Sequence, residues 1–531
     1  MVRQWFFTLS MCIIAIVAVA AWLWPPAGWC MALFGPLIAL GLHDAFQTRH
    51  TVLRNFPVIG HFRYMIEGIR PEIQQYLIES NLDAYPVERE YRTLVYQRAK
   101  GDLETRPFGT QRDVYKPGYE WAAHAMAAAG ELPEPPRLMI GEAQCQQPYS
   151  SSLLNISAMS FGSLSSHAIL ALNTAARQGG FAHNTGEGGV SRYHLDPGGD
   201  LIWQIGSGYF GCRREDGRFD ADRFAESASQ TSVRMIEIKL SQGAKPGSGG
   251  ILPGKKVSAE VARARGLKPG QDAISPSSHS AFATPAELME FIATLRELSG
   301  GKPVGIKFCM GRVSDWMAMC KAMTETNITP DFITVDGGEG GTGAAPLELS
   351  NSMGMPKRDA LVLVSNVLVG TGLRPGIKVI VSGKILSAFH MIRALALGAD
   401  GCNSARAMMF ALGCIQSLRC NNNTCPTGIT TQNPALVKGL VVADKAPRVE
   451  RFHAQTIKAM LKLLSAMGLA HPDDLGPQHI YRRSGDLNAV RYADLYDFLE
   501  PGQLLDPQCG AASGLGPLWQ QARADRWGDS W

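Results

Sequence analysis

Cys414, Cys420 and Cys425 are separated by five and then four residues, with Pro426 and Gly428 directly behind them. Thiolates in such a run bind soft metal, and C-x5-C-x4-C closed by C-P-x-G suits an iron-sulfur cluster better than paired C-x2-C zinc knuckles do. Three close ligands rather than four favour a three-iron cluster, whose chemistry is single-electron transfer. A second set of residues suits an anion. Ser382-Gly383 and Ser404-Ala405-Arg406 combine free backbone amides with an arginine fork, the means by which a phosphate is cradled near a helix N-terminus. Lys307 can face the anionic edge of a flavin. Taken singly, these glycines are also what tight strand-to-helix turns require; taken together they favour FMN.

Such groups need a scaffold that brings loop residues to one face. From about Leu153 the chain alternates short apolar runs with helical segments. The spacing predicts strands over Leu153 to Met159, Phe181 to Asn184, Leu201 to Ile205, Met235 to Leu240, Pro303 to Phe308, Phe332 to Val335, Lys378 to Val381 and Ala399 to Asn403. Eight strand–helix repeats imply an α/β fold, the (β/α)8 TIM-type barrel, whose active site forms at the carboxyl ends of the strands. Met159 and Ser160, Gln242, Gly340 and Gly341, and Ser382-Gly383 each follow a predicted strand and are expected cofactor contacts.

The rest of the chain frames this barrel. Its 531 residues accommodate one barrel plus extensions, and a net charge of +4 offers no field for nucleic acid. Eleven cysteines, mostly isolated, lack the density of a secreted disulfide scaffold and point to a reducing compartment. No residue from Trp5 to Trp24 is charged, enough length to cross the ~30 Å hydrocarbon core. Pro25, Pro26 and Gly28 predict a turn, and a second uncharged run from Trp29 to Leu42 predicts the return limb of a transmembrane hairpin. Arg3 before it and Arg49, Arg54, Arg63 and Arg70 after it place both ends in the cytoplasm, at the cell inner membrane. Ala18-Val19-Ala20 also resembles a signal-peptide cleavage site, which would leave the second run unexplained. The expected organisation is a hairpin over 1–45, a helical connector over 46–130 with Pro71-Glu72 opening one helix, the barrel domain over 131–475 and an extension over 476–531.

The run Ile238-Lys239-Leu240-Ser241-Gln242-Gly243-Ala244-Lys245-Pro246-Gly247 followed by Leu252-Pro253-Gly254 resembles the FMN-binding synthase domain of the glutamate synthase family. So do Ser157 to Gly162, Gly186-Glu187-Gly188-Gly189, Ile274-Ser275-Pro276, Gly340 to Ala344 and the cysteine cluster, in unbroken order over about residues 150 to 470. The resemblance implies FMN, a 3Fe-4S cluster on Cys414, Cys420 and Cys425, and reductive amination of 2-oxoglutarate with ammonia to L-glutamate. It places Lys245 and Arg265 on the dicarboxylate, Lys239 at a further basic position, and Glu187 where it orients the imine or ammonia. A buried structural Lys–Glu pair is the alternative for Lys245 and Glu187. His279, after Ser275-Pro276, is a candidate substrate contact.

Three positions depart from the family's pattern. Ile251 stands where the family carries a polar Gln, which removes a substrate hydrogen bond, while Ser382-Gly383-Lys384 replaces an acidic Asp-Gly-Gly and Arg406 replaces a neutral phosphate neighbour. No glutaminase, ferredoxin-like cysteine run or dinucleotide-binding G-x-G-x-x-G is evident, so electrons are expected from a ferredoxin, a reductase subunit or a membrane donor, and ammonia from a separate glutaminase or from solution. Two other readings stay open: a redox module without amination activity, and an FMN oxidoreductase of another 2-oxo or 2-hydroxy acid.

Overall fold

The protein, as a computed structural model, is described over residues 2–485, 487–508 and 513–529. It forms two compact units, Met1–Tyr85 and Pro86–Trp531, so the boundary falls inside the segment expected to be a connector.

In the first unit, helix α1 (Val2–Leu23) and helix α2 (Cys30–Phe46) run antiparallel, joined by a 3-10 turn over Pro25–Trp29. Both are long and apolar enough to cross a membrane, at 22 residues each when the 3-10 turn is counted with α2. The second limb is thus longer than the expected Trp29 to Leu42. Proline fits the first turn of a helix, so Pro25-Pro26 winds straight into α2 instead of merely breaking the chain. The hairpin closes where Arg3 Nη2 donates to Ala45 O at 2.9 Å and where Phe6 fills the space left by Gly41. Trp5, Leu9, Ile16 and Trp22 of α1 and Leu33 and Leu37 of α2 remain exposed, an apolar surface without a polar side. Pro71 does not open a helix; it lies in the last turn of helix Gly60–Ile73, which widens into a π turn over Gln74–Ile78. Its ring crowds the carbonyl one turn earlier and it has no N–H to give, so the regular ladder ends there.

The second unit is built on a closed parallel barrel of eight strands in sequential order: β1 (Leu154–Ile156), β2 (His183–Asn184), β3 (Leu201–Ile205), β4 (Val233–Lys239), β5 (Val304–Phe308), β6 (Phe332–Asp336), β7 (Lys378–Ser382) and β8 (Gly401–Ser404), with β8 closing on β1. All eight expected strands are present. The weak one, β2, has a single ladder partner in β1, Ile156 with His183, and its path is held instead by Asn155 Oδ1, which accepts from Ala182 N at 2.8 Å. β1 ends before Ser157, because Ser157 to Ser160 leave the ladder to form the barrel mouth.

A fully buried carboxylate lies in the barrel interior. Glu237 on β4 accepts from Asn184 Nδ2 (2.8 Å), Gln204 Nε2 (2.6 Å) and Thr334 Oγ1 (2.7 Å), a satisfied network that ties β2, β3, β4 and β6 beneath the mouth. Between β4 and β5 the chain makes a long excursion over the mouth. It contains helix Ala259–Arg265, capped by Ser258, and a short ladder pairing Ile251 with Ile274 and Leu252 with Ala273. The terminal segment returns to the barrel: Trp519 is buried with Lys321 Nζ 4.4 Å from its ring centroid, and Trp527 Nε1 donates to Ala283 O at 2.6 Å. Trp531 lies outside the described residues.

Candidate functional site

A cavity of ≈ 310 Å³ opens at the carboxyl ends of the strands. Every residue expected at the site lines it except Ser382 and His279. One side is cationic. Lys239, last in β4, donates from Nζ to Glu187 Oε1 at 2.9 Å, with Lys245 and Arg265 flanking the same carboxylate. The ion pair of Glu187 is therefore with Lys239 and not with Lys245. Glu187 reaches this place because nothing stands beside it: a Cβ on Gly206 would meet its Oε2 at 2.6 Å, and one on Gly250 would strike its Oε1. Burial would raise the Glu187 pKa, but Lys239 first, then Arg265 and Lys245, hold it below the usual carboxylate range.

Both flanking cations are themselves desolvated. Burial lowers the Lys245 pKa, with Glu187 opposing, and pushes Arg265 down to about 10. Arg265 Nη2 donates to Ser160 Oγ and Phe161 O, both at 3.2 Å, while its Nε is buried without a partner. Three cations around one carboxylate leave this end positive, a charge suited to an anionic ligand.

The other side suits a phosphate and a flavin edge. Lys307 Nζ lies 3.5 Å from Asp336 Oδ2, and Asp336 also accepts from Gly243 N at 3.0 Å and Ser382 Oγ at 2.5 Å. The Ser382 hydroxyl thus serves a buried carboxylate opposite it in the β6–β7 register and does not face the cavity; Gly383, with φ +115°, does. Burial would raise the Asp336 pKa and lower that of Lys307, but their mutual attraction prevails and keeps both charged. The Arg406 guanidinium occupies the space where a Cβ on Gly341 would lie, so that glycine is required for the arginine to enter the cavity. Burial lowers the Arg406 pKa, opposed by Asp336 and Glu339.

All three cysteines line this cavity. Cys414 follows helix Arg406–Leu412 through Gly413 (φ +106°) and its sulfur accepts from Gln416 N at 3.4 Å. Cys425 Sγ is 3.2 Å from Thr427 Oγ1. Burial pushes the Cys414 thiol up to about 12; at Cys425 burial is outweighed by the Thr427 and Thr430 hydrogen bonds, and the pKa falls. Among the described residues no group of three or more His, Cys, Asp or Glu side chains is arranged to hold a single metal ion.

His279 stands behind the wall. Its Nδ1 is 3.1 Å from Tyr209 Oη, which accepts from Ser280 N and Ala281 N, and its Nε2 is 2.9 Å from Lys239 O. With the Tyr209 proton on Nδ1, Nε2–H donates to Lys239 O, so His279 braces the end of β4 and makes no cavity contact. Sequence reasoning missed Lys256, buried, whose Nζ donates to Cys420 O (2.7 Å) and Thr430 O (2.8 Å), and also Asp336, Gly206 and Gly250. Asp336 had a signal in the acid opening the glycine cluster after β6; Lys256 had only its place behind Leu252-Pro253-Gly254.

An eight-stranded barrel whose mouth collects lysines, arginines, glycine loops and three cysteines defines a small-molecule enzyme class of the (β/α)8 type. Residues 115–470 match the family described as the conserved region in glutamate synthase. The chain belongs to the glutamate synthase family. It is 38% identical to the glutamate synthase large subunit-like protein YerD of Bacillus subtilis (strain 168), over 86% of this chain and 94% of that protein. An archaeal-type glutamate synthase [NADPH] of Thermotoga neapolitana is 34% identical over 64% of this chain and 62% of its own length. The archaeal glutamate synthase [NADPH] of Methanocaldococcus jannaschii is 36% identical over 59% and 58%. The chain therefore spans somewhat less than two thirds of these last two relatives. Among solved structures, a mutant flavocytochrome b2 with pyruvate bound matches at a TM-score of 0.41, with 11% identity over 81% of this chain and 87% of the other. A mutant mandelate oxidase with benzaldehyde matches at 0.43, with 14% identity over 75% and 98%.

Proposed function

We propose that this chain is an oxidoreductase that forms L-glutamate from 2-oxoglutarate and ammonia, using FMN and a 3Fe-4S cluster. The observation that carries the reading is the two-ended cavity, with an uncompensated cationic end at Glu187, Lys239, Lys245 and Arg265 and a glycine-lined end at Gly341, Gly383 and Arg406. FMN, when bound, supplies the hydride that reduces the imine carbon; its phosphate would lie on Gly383 and Arg406, and Lys307 would face the ring. Lys245 and Arg265 hold the dicarboxylate, and Glu187, kept ionised by its cations, accepts a hydrogen bond from ammonia or the imine N–H and orients it.

The donor set around the cysteines fits a cluster: a backbone N–H, a threonine hydroxyl and the Lys256 ammonium surround the sulfurs or their loop. Electrons come from a separate donor and ammonia from solution or a separate glutaminase. Helices α1 and α2 anchor the chain in the inner membrane with the barrel on the cytoplasmic side, in keeping with the arginines at both ends of the hairpin. Ile251, on the cavity wall and half exposed, favours one second reading, a relative aminating a 2-oxo acid with a more apolar tail.

Incubating the anaerobically purified protein with dithionite, 2-oxoglutarate and 15N-ammonium tests this. Labelled glutamate is the expected product. Its absence, with FMN present and reduced, refutes the assignment.

A further inference from the structure

A second cavity, of ≈ 180 Å³, lies between helices Lys357–Gly370 and Ala388–Ala396, on the outer side of the loop that follows β7. Four cations line it, Lys357, Arg358, Lys384 and Arg393, against a single carboxylate, Glu339. A further acid, Glu120, is already gripped by Arg358, Arg393 and Arg482, the last at 3.1 Å. Arg112, farther off, pairs with both Glu88 (3.1 Å) and Glu90 (2.6 Å), and Lys357 Nζ also donates to Gly383 O at 2.6 Å. The group is thus left with more positive charge than its own carboxylates can balance.

Two details point to a ligand rather than to a packing motif. Lys384 holds a left-handed backbone, φ +50°, a strained conformation for a lysine that brings its ammonium to the cavity wall. His390, whose Nδ1 accepts from Leu386 N at 3.2 Å, is kept neutral by burial and by the surrounding cations, leaving Nε2–H as one more donor. Burial also pushes Lys357 down to about 8 despite Glu339, with Arg393 adding to the effect.

We propose that this cavity is a second anion-binding site, taking a phosphate-type dianion, either inorganic phosphate or the head of a short phosphomonoester. Its donors are Lys384 and Arg393, with Lys357 and Arg358 supplying field. The site does not depend on what the large cavity holds. Lys384 lines both cavities, however, and an anion on the outer side would draw it from Arg406, which faces the phosphate end of the larger one.

Calorimetric titration of the full-length, detergent-solubilised protein with inorganic phosphate, and separately with glycerol 3-phosphate, tests the site. One saturating anion per chain is expected, weakened about tenfold or more by Arg393→Gln and retained in Arg406→Gln. Glu339→Gln removes the one opposing charge and should tighten binding, a gain that misfolding cannot produce and that decides the matter if Arg393→Gln fails to fold. Whichever anion binds more tightly identifies the source. Absence of saturable binding overturns the proposal, as does binding lost in Arg406→Gln but kept in Arg393→Gln, which would put the anion in the large cavity; so does Glu339→Gln without effect.

Discussion

Lys239 Nζ sits 2.9 Å from Glu187 Oε1, joining the last residue of β4 to the glycine loop after β2 directly over the buried Glu237 network. The pair is only slightly exposed, 10% and 17% for the two side chains, so it is shielded from salt and holds Glu187 as an anion beside two further cations. Glu187→Gln keeps the shape and removes the charge. Turnover should fall about a hundredfold or more while FMN content and flavin spectrum stay unchanged, measured by stopped-flow and absorbance.

Gly250 and Gly206 matter for the same reason. Gly250→Ala places a methyl group on Glu187 Oε1 and should displace the carboxylate. The expected result is a loss of amination comparable to Glu187→Gln with a melting temperature near that of the parent. An active Gly250→Ala protein would show that Glu187 need not lie where it does.

On the alkaline side the substrate cations set the limit. Burial lowers the Lys245 pKa below the ordinary lysine value, so Lys245 loses its proton earlier than a surface lysine as pH rises. KM for 2-oxoglutarate should therefore climb below pH 10.5, the ordinary value, with kcat less affected. Lys245→Arg should move that limb up to about pH 10, where Arg265 loses its proton, and Arg265→Gln should raise KM roughly 10- to 100-fold at neutral pH.

Acid should destabilise the barrel unit well before its carboxylates protonate. His194 and His453 are held neutral by burial, with pKa values lowered to about 3 and about 4, and burial also holds His183 and His390 well below the ordinary 6.5. The unfolded chain binds these protons below about pH 6.5 and the folded chain does not, so stability falls as pH drops through that value. Each group contributes on the order of 1.4 kcal/mol per pH unit until its folded pKa is reached. Glu187, lowered in the folded state, adds to the loss only below its ordinary 4.5. A melting temperature that stays constant from pH 7 to pH 5 would contradict this.

Cys425→Ser should abolish the cluster's electron paramagnetic resonance signal and lower the iron content without removing FMN. Lys256→Met should leave FMN bound and shift the cluster's reduction potential downward, because a buried cation beside the ligands favours the reduced form.

The barrel was legible because each strand is a short run of apolar residues ended by glycine or a polar group, a pattern that parallel strands buried on both faces require. The site was legible where it rests on residue type: cations, glycines and thiols at strand ends. It was not legible where it rests on direction. Ser382 and Asp336 are neighbours only through the β6–β7 register, and that register turned an expected phosphate contact inward. His279 was misplaced similarly, since Tyr209, 70 residues away in sequence, captures its ring. Pro71 misled because proline marks a helix start more often than a last turn.

The central claim is that a dicarboxylate held by Lys245 and Arg265 meets reduced FMN at this barrel mouth. Rapid mixing of the anaerobic, dithionite-reduced protein tests it most directly. The account predicts that 2-oxoglutarate with ammonium reoxidises the flavin rapidly, that neither alone does so, and that Arg265→Gln requires far more 2-oxoglutarate. A flavin that stays reduced in the presence of both would contradict it.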